Sequence, residues 1–167
     1  KSWFTAADKG GLVDLDKNVY LNSDDFKLAL GSSGWDAPLY HDESTDLLEK
    51  AKTVCRRMGV NVVIDATMKS YSGAAKTVAQ FTEAGYDVDG FLMQVAPHES
   101  AGRAIDRFVR GGETGRYVTP SYALNAIGNE KTFDSLTPQF RKWAIYDNNS
   151  YGSTARRAPR LVAKGGY

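Results

Sequence analysis

At 167 residues the chain suits one domain with a sizeable core rather than two. Apolar residues make up 42% and charged residues 25%, and a net charge of +1 excludes a global field aimed at nucleic acid or membrane. The lone Cys55 excludes an internal disulfide, no apolar run approaches a membrane span, and no signal-peptide pattern opens the sequence, so a cytoplasmic location is expected.

In chain order, residues 2–8 read as a short helix ended by Gly10-Gly11, "NVYLN" (18–22) as a strand, and "SDDFKLAL" (23–30) as a capped turn or two of helix. Residues 31–40 are loop, because Gly, Ser and Pro cluster there without periodicity. Residues 42–58 are helical: Leu47, Leu48, Ala51, Cys55 and Met58 make one stripe, and Gly59 supplies the stop. "NVVID" (61–65) is a strand apolar enough to be buried on both faces. Residues 72–84 are helical, with Ala75, Val78, Ala79 and Phe81 inward and Gly85 after the end. "YDVDGFLMQV" (86–95) is a strand, and Pro97 opens a helix that Gly111-Gly112 ends. Two short helices are expected over 120–127 and 138–142, then a strand in "KWAIYDN" (142–148). The remaining tail is basic and weakly patterned, and its simplest reading is a solvated terminus. Trp3, Trp35, Trp143, Tyr86 and Phe91 are expected to pack, and His41 and His98 are too far apart in sequence to suggest a His-based metal site. Strands alternate with helices, so the expected architecture is α/β, a parallel sheet with helices on both faces.

Ligands of such sheets bind outside the carboxyl ends of the strands. Two strands here end in polar clusters, "NVYLNSDD" and "NVVIDAT". If they are neighbours, Asp24, Asp25, Asp65 and Thr67 surround one crevice; the plainer alternative is that these acids cap helices and turns. A second cluster is cationic. Arg103, Arg107 and Arg110 lie within about 60° of one another on a helix, with Ala101, Ala104, Ile105 and Phe108 broadly opposite. Arg116 comes next, in a Gly-rich loop. Guanidiniums bind phosphate oxygens bidentately and stabilise a phosphoryl group in transfer, whereas a solvated face paired with Glu99, Asp106 or Glu113 is the plainer alternative. Lys1-Ser2 matches the last two residues of GxxxxGK[ST], and so short a match gains meaning only from the residues downstream of it.

Together "KS", "NSDDFK", the helix carrying Glu49, "GVNVVIDAT", "EAGYDVDGFLMQVAP", "RAIDRFVRGG", "GRYVTP" and "IYDNN" resemble the zeta toxin family of P-loop kinases, over nearly the whole chain to about Asn148. The resemblance implies a three-layer P-loop kinase-like fold over residues 1–148 and a basic C-terminal tail over 149–167. It implies ATP- and Mg2+-dependent phosphorylation of a sugar hydroxyl, in zeta toxins that of UDP-N-acetylglucosamine, and a small helical antitoxin as partner. Carried over, Asp24 matches the general base, and Arg107 and Arg116 the cations on the transferring phosphate. Lys1 matches the nucleotide-phosphate ligand and Ser2 the magnesium ligand, with Arg103 and Arg110 beside the nucleotide. Glu49, Asp65 and Thr67 match positions that hold substrate.

Three departures are visible. Asn22 replaces the first acid of an Asp-x-Asp pair, Asp65-Ala66-Thr67 replaces Glu-Gly-Thr, and the P-loop glycines are not among these residues. The expectation is a natural protein that extends upstream through a strand and a glycine-rich loop. Two rival readings are a polynucleotide-kinase-like enzyme, with Arg156, Arg157, Arg160 and Lys164 touching a phosphate backbone, and a non-catalytic kinase-like module.

Overall fold

The computed structural model describes residues 14–110, 118, 119, 121, 124, 128–150 and 158–166. The chain divides into two units, residues 1–66 with 110–117, and residues 67–109 with 118–167.

The first unit is built on a parallel strand pair, β1 (Val19–Asn22) and β2 (Val62–Asp65), in the register Val19 to Val62 through Asn22 to Asp65. Parallel neighbours require a crossover. Here it runs through α1 (Ser23–Ala29), a 3-10 turn over Ala37–Tyr40, and α2 (His41–Met58). α2 packs against both α1 and β1. It ends as expected: Gly59 is left-handed at φ 66°, and the amides of Gly59 and Val60 return to the carbonyls of Arg56 and Cys55.

Its buried face departs from the predicted stripe. Ser44, Lys52 and Cys55 are buried, Leu47, Leu48 and Ala51 are half-buried, and Met58 is 69% exposed. The buried line runs from Ser44 through Lys52 to Cys55 and stops before the last turn. Two polar residues can sit on it because both are satisfied. Ser44 Oγ donates to the His41 carbonyl at 2.9 Å, and Lys52 Nζ to Glu49 Oε1 at 2.7 Å. β2 is half-buried at all four positions rather than buried on both faces, and Trp35 is 67% exposed instead of packed.

The second unit carries a three-stranded sheet in the order β3-β4-β5. β3 (Asp89–Gln94) and β4 (Lys142–Asp147) are parallel, and β5 (Arg160–Gly165) is antiparallel to β4. Residues 160–165, read from sequence as part of a weakly patterned tail, therefore form a strand. Its pairing with β4 holds it, since four of its six residues are exposed and only Ala163 and Gly165 are half-buried.

α3 (Tyr71–Glu83) starts at Ser70, whose hydroxyl accepts from the Gly73 amide. It buries Val78 and Phe81, while Ala75 is half-buried and Ala79 exposed. Gly85 follows at φ 85°, and Tyr86 stands edge-on to Phe81 at 5.1 Å. α4 (Pro97–Arg110) begins at its proline, as predicted. It buries Ala101 and Ala104 but leaves Ile105 and Phe108 exposed, so its buried face is narrower than the sequence suggested.

The helix expected over 138–142 lies earlier in the chain. α5 is Asn129–Leu136, and a single 3-10 turn, Thr137–Gln139, follows it. α5 supplies the centre of this unit's core, with Phe133 and Leu136 fully buried. Phe133 lies 5.4 Å from Phe140 and 6.5 Å, edge-on, from Trp143. Two glycines let these rings down onto the sheet. A Cβ at Gly90 would fall 2.5 Å from the Phe140 ring, and one at Gly165 2.6 Å from the Trp143 indole. The helix expected over 2–8, the glycine stop at 111–112, Trp3 and most of the helix expected over 120–127 lie outside the described residues.

Candidate active site at the strand ends

In the first unit the two polar strand ends are neighbours. The β1–β2 register sets Asn22 opposite Asp65, and a hydrogen-bonded cluster joins them. Asn22 Nδ2 donates to Asp65 Oδ2 at 2.9 Å. Tyr20 donates its hydroxyl to the same oxygen at 2.7 Å. Tyr20 and Asn22 share a face of β1 because side chains alternate along a strand, while Leu21 between them is buried on the other face. Burial, and then the bond to the Asp65 carboxylate, raise the Tyr20 hydroxyl well above the ordinary phenol range. It therefore remains a donor throughout the physiological range.

Asn22 is also the helix cap. Its Oδ1 accepts from the Asp24 amide at 2.8 Å, and its backbone is extended at φ −140° and ψ 127°. The plainer reading of Asp24 and Asp25 as the caps is thereby corrected. Both sit in the first turn of α1, where a carboxylate faces the positive end of the helix dipole. The Asp24 side chain is 39% exposed, and Lys27 Nζ approaches its Oδ1 at 3.5 Å. Such a carboxylate is accessible to a ligand and held on its helix. Glu49, on α2, is fixed by Lys52, whose side chain is only 7% exposed against 43% for the glutamate. An ammonium that deep needs its carboxylate partner.

The cationic cluster lies on α4, which belongs to the second unit as far as Val109. Arg103 Nη2 bonds Glu99 Oε1 at 2.5 Å and the Asn148 carbonyl at 2.6 Å, realising one of the ion pairs suggested by the sequence. Glu99 Oε1 also accepts from the Ser150 amide at 2.7 Å. The hydrogen bonding from Ser150, opposed by partial desolvation and reinforced by the Arg103 charge, holds the Glu99 carboxyl below its ordinary range. Asn149 completes the junction: its Oδ1 accepts from the Ala96 amide at 2.8 Å, and its Nδ2 donates to the buried Asp147. The start of α4 is thus bolted to the residues after β4. Arg107 and Arg110 lie further along α4, both exposed. Thr67 is exposed in the segment after β2, followed by Met68 in left-handed backbone at φ 51°. Lys1, Ser2 and Arg116 lie outside the described residues.

Three contributors were not singled out from sequence: Tyr20, Lys52 and Asn149. Tyr20 was findable, since it stands two residues before Asn22 and so shares its strand face. Lys52 was not, because a lysine among charged neighbours on a helix normally reads as solvated.

The family model described as Zeta toxin matches residues 18–154, and the chain belongs to the zeta toxin family. A solved structure from the PezAT chromosomal toxin-antitoxin system of the human pathogen Streptococcus pneumoniae shares the fold, with a TM-score of 0.63 at 18% identity. The alignment covers 96% of this chain and 64% of that one, so the chain spans less than two thirds of that structure's length. The α/β class with parallel strands, and its kinase-like form, stand as expected. No curated protein matches the sequence. Among the described residues no helix is long and apolar enough to cross a membrane.

Proposed function

We propose that the chain is the acceptor-activating core of a zeta-type phosphotransferase, which moves a phosphoryl group from ATP to a hydroxyl of a nucleotide sugar such as UDP-N-acetylglucosamine. The observation that carries this reading is the register of β1 and β2, which sets the Asp24 turn and the Asp65 carboxylate at one shared carboxyl end of parallel strands. The donor set fits a magnesium nucleotide in its chemistry: carboxylates at strand ends, guanidiniums on α4, and Lys1-Ser2 in the order that ends a P-loop. Bound MgATP would supply the phosphoryl group and a cation for its oxygens.

This chain's residues do the rest. Asp24 would accept the proton of the acceptor hydroxyl as that oxygen takes the phosphoryl group and the bond between that group and ADP breaks, ADP being the leaving group. Asp65, Glu49 and Thr67 hold the acceptor. Arg107 and Arg116 bear on the transferring phosphate, and Arg103 and Arg110 on the nucleotide, Arg103 through the nitrogens other than the Nη2 bound to Glu99. Lys1 would hold the phosphates of a bound nucleotide and Ser2 its magnesium. The neighbour's toxin-antitoxin system supports an antitoxin as partner.

Asp24→Asn in the full-length protein is the test. Phosphate transfer to the nucleotide sugar should fall about a hundred- to ten-thousand-fold, with ATP affinity held within about twofold. Wild-type turnover in that variant removes Asp24 as the base. A wild-type protein that transfers phosphate to no nucleotide sugar removes the proposed acceptor.

A further inference from the structure

Asn22 sits where three elements meet, and both ends of its amide are used. The oxygen caps α1 at the Asp24 amide at 2.8 Å, and the nitrogen grips Asp65 at 2.9 Å and touches the Tyr20 hydroxyl at 3.2 Å. We infer that Asn22 is a positioning residue, which ties the helix turn carrying Asp24 to the Asp65 carboxylate so that base and acceptor-binding acid keep one spacing. This rests on the proposed phosphotransferase reading and adds to it a residue whose role is neither base nor ligand.

The chemistry of the pair favours an amide here over an acid. Asp65 Oδ2 already accepts from Tyr20 and Asn22. An aspartate at position 22 would still cap α1, since Asn and Asp are comparable N-caps. It would have no N–H for Asp65, and it would set two carboxylates against each other at the tips of paired strands. Like charges that close are strongly unfavourable.

Because Asn22→Asp keeps the cap and replaces the tie with repulsion, it breaks the second job of the side chain while sparing the first. In the full-length protein, kcat for transfer to the nucleotide sugar should fall at least about tenfold, while KM for MgATP changes less than about twofold. A purely structural residue would lower the fraction of active protein without dividing these constants so selectively, and active-site titration accounts for that fraction. Independently of turnover, the unfolding constants of Asn22→Ala, Asp65→Ala and the double variant should depart from additivity by about fivefold, the size of a contact coupling.

Additive unfolding constants overturn the tie, whatever the protein phosphorylates. Non-additive constants with an unchanged kcat in Asn22→Asp overturn its positioning role and leave the phosphotransferase reading standing, provided Asp24→Asn is inactive. A wild type without phosphate transfer overturns the phosphotransferase reading and the positioning role together, while the unfolding cycle still reports on the contact.

Discussion

Glu99 shows how one carboxylate can set local order. Its single oxygen Oε1 receives both Arg103 and the Ser150 amide, joining α4 to the chain beyond β4. Those bonds lower its pKa in the folded state. A depressed carboxyl stabilises the fold at pH values above its unfolded pKa, and that contribution is lost as pH falls through the folded value. Wild-type protein should therefore lose more thermal stability than Glu99→Gln between about pH 6 and about pH 3. Parallel melting curves against pH would check this; identical slopes would mean the carboxylate charge is idle. The same scale shows what the sequence disclosed of the site. Asp24, Asp65 and Glu49 were legible as carboxylates at helix and strand positions. The bonds that commit Asn22 to Asp65 and Lys52 to Glu49 were not, because they depend on strand register and helix burial rather than on spacing.

Among the elements, the four strands expected from apolar runs all form, and the helices read from a 3.6-residue stripe over His41–Met58 and Tyr71–Glu83 appear within a residue of their expected starts. The failures have physical reasons. α5 reads "NEKTFDSL", with only Phe133 and Leu136 apolar, too short a pattern for periodicity to register. It forms because those two side chains are completely buried. β5 lacks alternation because its partner strand, not its own face, secures it. The contact between Gly90 and Phe140 gives this scale its prediction. A methyl group at position 90 must push the ring away, since its ideal position is 2.5 Å from two ring carbons. Gly90→Ala should destabilise the protein by about 1–3 kcal/mol, the cost of overpacking a filled core. Urea titration measures this, and a midpoint equal to wild type would show that the ring has room to yield.

For the molecule as a whole, the α/β class needs only the order of strands and helices, and the PezAT structure shares the fold. Family membership was legible from short polar motifs at strand ends, and the match over residues 18–154 agrees. It was not visible from sequence that the chain continues its sheet beyond the motif-bearing part. Removing residues 158–167 would strip β5 from β4 and uncover the indole of Trp143, which rests on Gly165. The shortened protein should melt at least about 5 °C lower and show red-shifted tryptophan emission. An unchanged melting temperature would reduce β5 to an ornament of the sheet.

β5 also has a bearing on solubility. Among the described residues it is an outer strand of its sheet, and an outer strand offers its free main-chain groups to any stray chain. Arg160, whose guanidinium lies 3.6 Å from the Asp147 carboxylate, and Lys164 stand at either end of the apolar run Leu161-Val162-Ala163, the placement by which charges flank an exposed strand and disfavour further pairing. The cations of β5 thus lie at the two ends of the stretch whose exposed apolar side chains would otherwise invite a second strand.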